Sequence, residues 1–283
     1  MAGGTDMLPS TGLTGRTKMR LLAIAAAAGL GAFLLAGSPL PSEAAEETWQ
    51  VGLSATYTSG DYGTNTRTDI LYMPFSLRRL FRDGDLTLIV PYISVASDGR
   101  VTLVGGVPAF ARRVQRTPAR VTNEGIGDVI MQGRYYILDE RTFLPTVALV
   151  ARLKAPTADA DKGLGTGEWD EGIGTEISKK FAEKWTGFFD LGYTIIGQPA
   201  GVTLQNRWNY DLGLGYNFTE ALMGSVYYEE WRTLVPGQVN PRDLLFAVNY
   251  KATSALRLNF AIETGLSNGA PEYGITGGLS WRF

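Results

Sequence analysis

The sequence predicts an all-β protein, specifically a transmembrane, antiparallel, up-and-down β-barrel of about 12 strands. Apolar and polar residues alternate in many short segments, which is typical of strands with one buried face. Glycine is frequent, with 35 residues among 283, as expected for many tight turns. The connections between these segments alternate between short and long, which is the arrangement in bacterial transmembrane barrels. A soluble β-sandwich would explain the alternating residues but not the alternating loop lengths.

Composition excludes several classes of function. The chain has no cysteine and no histidine, so it cannot hold a Ser-His-Asp triad, a cysteine nucleophile, a disulfide or a His/Cys zinc site. Its net charge of -2 gives no electrostatic signature for nucleic acid. We therefore expect no enzyme activity, no cofactor and no metal, although a lysine or paired-carboxylate mechanism stays formally open.

The N-terminal segment 1–44 is predicted to be a cleaved secretory signal peptide. Basic residues precede the apolar run 21–35, and small residues follow at Ser42 and Ala44. This apolar run is shorter than the roughly 20 residues that a membrane-spanning helix needs. Residues 45–283 are therefore predicted to form the exported barrel, in the outer membrane of a Gram-negative bacterium.

The N-terminal part of the barrel is predicted from five alternating segments. Segment 49–59 places Trp49, Val51 and Leu53 on one face. Alternation also predicts strands over 68–78, 85–95, 126–138 and 143–155.

The C-terminal part is predicted from seven further segments. The clearest is 208–218, where aromatic and aliphatic residues face one way and Asn209 and Asp211 face the other. The weakest is 172–181, because Lys179 falls on the otherwise apolar face. The other strands are predicted over 185–196, 222–233, 244–251, 256–266 and 273–283.

Aromatic residues at the predicted strand ends indicate two membrane-interface girdles. The girdle at the short turns consists of Trp49, Phe181, Trp185, Phe218, Trp281 and Phe283. The girdle at the long loops consists of Trp208, Trp231 and Tyr273. The segment 279–283 also resembles the terminal strand signal of outer-membrane proteins. Trp281 and Phe283 would then be read by the barrel-assembly machinery.

Two internal segments resemble a known family. Residues 124–135 contain Gly-Ile-Gly-Asp before a strand, and residues 153–167 contain Lys-Ala-Pro-Thr-Ala-Asp followed by Leu-Gly-Thr-Gly. These motifs are similar to those of outer-membrane transporters labelled with the meta-cleavage pathway of phenol degradation. Ala158 stands where that family usually has glycine. The resemblance implies a barrel in the outer membrane and defines no catalytic or binding residues.

Strand parity places a set of polar residues on the inner face. Because both signs of charge occur, the set indicates either an ion-paired plug or a hydrated pore. The predicted lumen-lining residues are Asp128, Arg134, Arg152, Lys154, Asp190, Asp211, Tyr227, Glu229, Arg257 and Glu263, together with Gln132, Asn209, Asn249, Asn259 and Arg282.

The long connection 96–124 carries five arginines and has three possible interpretations. It could be a constriction loop, a surface that binds lipopolysaccharide phosphates, or a mobile solvated loop. The arginines are Arg100, Arg112, Arg113, Arg116 and Arg120.

The next long loop, 157–171, is rich in acidic residues and includes Asp159, Asp161 and Asp170. It lacks the glutamate at position 12 and the flanking helices of an EF-hand, so a solvated acidic loop is expected rather than a metal site. Gly105, Gly163 and Gly237 lie in the longer loops and are predicted to be accessible from outside the cell.

The predicted function is an outer-membrane channel or transporter for small solutes, including hydrophobic or aromatic compounds. The alternative is a plugged structural or surface-interaction barrel without transport. The expected partners are outer-membrane lipid, lipopolysaccharide, the barrel-assembly machinery and a small-molecule solute.

Overall fold

The computed structural model describes residues 48–98, 101–104, 107–110 and 120–283. The predicted signal peptide lies outside these ranges. Within them every regular element is a β-strand. No helix there is long and apolar enough to cross a membrane.

Fifteen strands occur in the described ranges, and their bounds agree closely with the predicted segments. They are β1 Thr48–Gly60, β2 Thr68–Leu80, β3 Gly84–Ser97, β4 Val101–Val104, β5 Val107–Phe110, β6 Val121–Ile126, β7 Val129–Leu138, β8 Thr146–Ala155, β9 Asp170–Lys180, β10 Trp185–Ile196, β11 Arg207–Asn217, β12 Leu222–Trp231, β13 Arg242–Lys251, β14 Leu256–Gly265 and β15 Tyr273–Arg282.

The strands form a closed antiparallel barrel. Each wall strand pairs with its neighbours along the chain, and β1 pairs with β15 from Gln50↔Arg282 to Ser59↔Tyr273. Strands β6 and β7 lie end to end along β3 and occupy one position in the wall. With β4 and β5 set apart as a separate hairpin, the described wall has 12 positions. The predicted fold and strand number are confirmed.

The break between β6 and β7 occurs at Gly127 and Asp128. A Cβ atom on Gly127 would lie 2.3 Å from Cδ1 of Ile93, so any larger residue would require the Ile93 side chain to move. The Gly127 amide donates to the carbonyl of Pro91 at 2.8 Å, which holds the chain to β3 across the interruption. The strand therefore stays in the wall while Asp128 becomes buried.

The two faces of the wall have opposite chemistry. Large apolar side chains such as Phe75, Leu212 and Phe260 are exposed on the outer face. The residues that alternate with them are buried and include many polar groups, among them Gln50 and Thr56 of β1. An apolar exterior around a polar interior is the reverse of a soluble protein and is typical of a barrel in lipid.

Several predicted features differ from the structure. Strand β8 begins at Thr146 rather than Phe143, because Pro145 has no amide hydrogen for the ladder. The connection 96–124 contains the β4–β5 hairpin and strand β6, so it is not a structureless loop. Trp231 does not belong to the outer girdle, because it alternates with Glu230 and is buried on the inner face.

Lys179, the residue that weakened the prediction of β9, reaches the neighbouring turn. Its Nζ atom donates to the carbonyl of Arg141 at 2.5 Å and to the carbonyl of Leu144 at 3.2 Å. It also pairs with Glu140 at 3.3 Å. A lysine near the end of a membrane strand can thus keep its charge in the polar interface.

The connections alternate in length as predicted, with short turns such as 181–184 and 218–221 and longer loops such as 197–206 and 232–241. The prediction that Gly163 is accessible is wrong, since this residue is buried. Gly105 lies outside the described residues.

An epitope tag inserted at Gly237 should be accessible on intact cells, because this residue is exposed in the loop 232–241 and has open space around it. The same tag at Glu183 should be shielded, because it lies in the opposite, short turn. Antibody labelling before and after permeabilisation measures both. Labelling of Glu183 but not Gly237 on intact cells would reverse the topology.

Candidate functional site

The candidate site is the interior of the barrel, where the charged residues predicted from parity lie. The half near the short turns holds an ion-pair network between four strands. Arg134 on β7 binds Glu176 on β9 through two hydrogen bonds of 2.7 and 3.0 Å, and its Nη1 atom lies 3.1 Å from Asp85 on β3. Arg78 on β2 binds the same Asp85 carboxylate at 2.5 Å. The planar guanidinium groups compensate the buried carboxylates, and Arg134 does so through a bidentate pair of hydrogen bonds.

A second ion cluster lies in the half near the long loops and is centred on Lys154. Its Nζ atom is 2.8 Å from Asp128 Oδ2, 3.1 Å from Asp170 Oδ2 and 3.2 Å from Thr166 Oγ1. The second oxygen of Asp128 accepts a hydrogen bond from the amide of Ala158 at 3.0 Å. One buried cation is thus shared between two buried carboxylates and a loop.

The Lys154 cluster draws the loop 156–169 towards the interior. Thr157 Oγ1 donates to the carbonyl of Gly127 at 3.0 Å and accepts from the amide of Val129 at 2.8 Å. A side chain at Gly165 would come within 2.8 Å of Asp128 Oδ2, so glycine is needed there. The two segments that carried the family resemblance therefore form one structural unit.

The tip of this loop is apolar and corrects the expectation of a solvated acidic loop. Leu164 is buried in a cluster with inner-face residues of β2 and β3, namely Ile70, Tyr72, Ile93 and Val95, and with Tyr62. Burial raises the pKa of the Tyr62 phenol, which stays protonated and donates to Thr58 at 2.7 Å. Leucine in the middle of an acidic segment was the signal that could have predicted this burial.

The acidic residues of the same loop divide into two groups. Asp159 is half-exposed and accepts hydrogen bonds from the amides of Asp161 and Lys162, both at 3.1 Å. Asp170 is buried in the Lys154 cluster. Within the described residues, no group of three or more acidic side chains has the geometry to hold a metal ion.

A row of carboxylates crosses the inner wall from β9 to β13. Glu176, Asp190, Asp211, Glu229 and Asp243 are direct cross-strand partners, each in register with the next. Glu176 lies in the half of its strand near the short turns, whereas Asp243 lies at the loop end of its strand. Because barrel strands are tilted, an in-register row climbs through the barrel.

The carboxylates towards the loop end of this row have few hydrogen-bond partners. Asp211 is 1% exposed, and in the described part of the chain neither of its carboxylate oxygens has a hydrogen-bond partner. One oxygen of Glu229 and one of Asp243 also have no hydrogen-bond partner there, and the same holds for Glu263 on the next strand, β14. Like charges that face each other across strands are destabilising, and buried charges need solvation. The row can therefore attract water and cations.

Apolar side chains occupy the interior beside this row. Tyr227 packs on Phe188 with ring centroids 5.6 Å apart, in a cluster that also contains Met223 and Leu245. The Tyr227 ring covers Gly213, where a Cβ atom would lie 2.2 Å from Cε1. The lumen on this side is narrowed by side chains, as expected for 12 strands.

The remaining predicted lumen residues occupy separate places. Arg152, Gln132 and Asn209 line a cavity between β7 and β11. Arg257 is half-buried opposite Ser280, and Arg282 donates to Thr48 at 3.0 Å. Asn249 and Asn259 are cross-strand partners.

Of the predicted loop arginines, the described residues include Arg120 alone; Arg100, Arg112, Arg113 and Arg116 lie outside them. Arg120 binds Asp69, at the loop end of β2.

Sequence reasoning missed several interior charges. Arg207 and Asp243 are the first inward-facing residues of β11 and β13, and the strands had been predicted to begin one residue later. Asp85, Arg78 and Glu176 lie on the predicted strands, but the alternation was not used there to assign them to the inner face. Correct strand limits would have found Arg207 and Asp243, and the alternation within the predicted strands would have found the other three.

The closed wall, its apolar exterior and its charged interior define a porin-like transmembrane β-barrel of the outer-membrane class. The chain belongs to the family described as "Putative MetA-pathway of phenol degradation", whose profile matches residues 80–283. This confirms the resemblance inferred from the two motifs.

Solved structures share this fold. The COG4313 outer membrane channel from Pseudomonas putida F1 superimposes with a TM-score of 0.62 at 13% identity, covering 87% of this chain and 99% of that chain. The NanC porin gives a TM-score of 0.50 at 11% identity, covering 82% and 98%. A comparison with curated protein sequences gives no significant match.

Proposed function

We propose that the protein is an outer-membrane channel of a Gram-negative bacterium that passes small solutes. The carboxylate row carries this proposal, because buried carboxyl groups such as Asp211 and Glu229, with oxygens that lack a hydrogen-bond partner in the described ranges, need water beside them. A wall lined with carboxyl groups from the turn half to the loop end provides a polar path. The lack of histidine and cysteine favours passive transport over catalysis.

The proposed solutes include hydrophobic or aromatic compounds. Support comes from the description of the family, which refers to the degradation of phenol, an aromatic compound. Cells that produce the protein should take up labelled toluene faster than cells that lack it. Equal rates would remove this class of solute from the proposal.

Planar-bilayer recordings of the purified protein test the channel. Discrete current steps are expected in potassium chloride. Asp211→Asn and Glu229→Gln should shift the reversal potential in a salt gradient towards anions, because each removes an ionisable carboxyl group from the wall. Absence of current from folded protein would contradict the proposal.

The second candidate is a plugged barrel without transport. It is favoured by the burial of Tyr227, Phe188 and Met223 across one side of the lumen and by the inward fold of the loop 156–169. A plugged barrel would give no current steps and no reversal potential to shift.

We also propose that residues 1–44 are removed on export, and that the mature barrel is surrounded by lipid and lipopolysaccharide. Amino-terminal sequencing of the protein from outer membranes would test the cleavage site. A mature chain that still contains the apolar run 21–35 would contradict it.

Insertion by the barrel-assembly machinery is proposed to depend on Phe283. This residue lies on the outer face with Trp281, and its amide and carbonyl pair with Trp49, each at 2.9 Å. Phe283→Ala should lower the heat-modifiable, membrane-inserted fraction, while Arg282→Ser leaves it largely unchanged. Gel mobility with and without heating measures both, and equal effects would show that the aromatic ring is not what matters.

A further inference from the structure

Four acidic residues lie together on the inner wall near the loop end, and we call them the acid cluster. They are Asp211 on β11, Glu229 on β12, Asp243 on β13 and Glu263 on β14. The first three are direct cross-strand neighbours, and Glu263 lies diagonally opposite Asp243. The first three are buried and Glu263 is half-buried. Each member has at least one carboxyl oxygen without a hydrogen-bond partner in the described ranges.

The surroundings of the acid cluster supply little positive charge. The other ionisable groups that face it are Asp190 on β10, Arg207 on β11, Tyr227 on β12 and Tyr62 from the connection 61–67. On β15 the residue opposite Glu263 is Gly274, which has no side chain. Acids therefore outnumber cations around the cluster in the described part of the chain. Like charges that face each other across strands are destabilising, so the cluster needs a counter-charge.

The contact between Glu229 and Asp243 identifies that counter-charge. Their side chains come within hydrogen-bonding reach of each other. Ionised carboxylates carry acceptor oxygens only, so a hydrogen bond between two of them requires a proton as the donor. A hydrated metal ion would need space beside these oxygens, whereas a proton needs none.

Asp211 differs from this pair because donors face it. The guanidinium group of Arg207 acts on it from the same strand, and the indole NH of Trp231 is directed towards it. Trp231 is 7% exposed, and its Nε1 atom completes no hydrogen bond in the described chain. A buried donor that is aimed at Asp211 and otherwise unused shows that this carboxyl group can be compensated without a proton. The proton therefore belongs to Glu229 and Asp243.

We propose that the acid cluster is a pH-sensitive element of the channel wall, in which Glu229 and Asp243 share a proton at neutral pH. When the pH rises, the proton passes to the solvent and one more negative charge remains on the inner wall. The preference of the channel for cations then increases. The effect on selectivity rests on the proposed function, whereas the shared proton does not.

The composition of the chain separates this titration from others. It has no histidine and no cysteine. Free carboxyl groups are ionised above about pH 5, and tyrosine and lysine titrate near about pH 10. A carboxyl group that titrates between about pH 6 and pH 9 is therefore a buried one.

Infrared difference spectroscopy of the full folded protein in phosphatidylcholine vesicles tests the shared proton. The carbonyl stretch of a protonated carboxyl group should be present at about pH 6 and lost by about pH 9. Asp243→Asn and Glu229→Gln should each abolish this change, because the new amide donates to the remaining carboxylate in place of the proton. The matched control is Glu272→Gln, which removes a carboxylate that is 58% exposed beside Arg67 and should leave the change intact.

Urea unfolding over the same pH range gives a second readout. The unfolded chain has its carboxyl groups ionised there, whereas the folded protein holds one more proton. Stability is then greatest at the lower pH, and the unfolding equilibrium constant should rise about tenfold per pH unit. Asp243→Asn should flatten this dependence. Heat-modifiable gel mobility confirms that each variant is folded; if one of the two cluster variants does not fold, the other decides.

Absence of the protonated-carboxyl band from the parent protein at about pH 6 would overturn the proposal. So would a pH-dependent band that persists in the folded cluster variants, or a band that potassium chloride removes at constant pH, because a metal ion would then be the counter-charge.

Bilayer recordings separate this proposal from the channel itself. In a potassium chloride gradient, the reversal potential should move towards cation selectivity as the pH rises, and less so in Asp243→Asn. Current steps without the infrared band would remove the shared proton alone. The band without any current would keep the shared proton and remove the channel.

Discussion

Replacing Lys154 with alanine is expected to lower the free energy of unfolding by about 3 to 5 kcal/mol, the typical cost of removing one partner from a buried ion pair. Lys154 is 2% exposed and is the cation that Asp128 and Asp170 share. Without it, two buried carboxylates would face each other across strands. The loop 156–169, which the cluster holds at the interior, would also lose its attachment.

Urea titration of the protein in lipid vesicles, followed by tryptophan fluorescence, measures this change. The matched control is Lys162→Ala in the same loop, where the lysine is half-exposed and lies 3.8 Å from Asp159. Exposed pairs contribute about 0 to 1 kcal/mol, so little change is expected there. A loss below about 1 kcal/mol for Lys154→Ala would mean that the cluster is solvated rather than buried.

Replacing Phe260 with arginine should lower the free energy of unfolding by about 2 to 4 kcal/mol, the measured range for arginine on the lipid face near the bilayer midplane. Phe260 is 50% exposed on the outer face in the middle of β14. Its neighbour Asn259 faces the lumen opposite Gly278, which leaves space beside it. Asn259→Arg should therefore fold nearly normally and alter only conductance or ion selectivity.

Arginine in the core of a soluble protein would also be destabilising. A second measurement is therefore used to distinguish a lipid-facing surface from a protein core. A nitroxide label at Leu214, on the outer face of β11, should be quenched by oxygen but not by a water-soluble nickel complex. A label that neither reagent reaches would place Leu214 in a protein core and would contradict the membrane barrel.

The wall of the barrel was predictable because its signal is local. Alternation along one strand, such as Leu212 and Leu214 opposite Asp211 and Gly213, reports which face meets lipid without knowledge of any neighbour. The errors arose where a local feature changed the strand end. Pro145 shortened β8, and the late predicted starts of β11 and β13 hid Arg207 and Asp243.

The interior could not be predicted in the same way, because its contacts join residues that are distant in sequence. Parity placed Asp128 and Lys154 inside, but nothing local indicates that Thr166 and Asp170 complete their cluster or that Leu164 is buried beside Ile93. The row from Glu176 to Asp243 likewise depends on the register of five strands.

The sequence by itself thus determined the fold class, the strand number and the orientation of most wall residues, since a period of two is a property of each strand alone. Only the tertiary structure decided which inner charges are paired, such as Arg134, and which lack partners in the described chain, such as Asp211 and Arg207. The physical reason is that pairing depends on strand register and on closure between β1 and β15, which fix distances across the lumen.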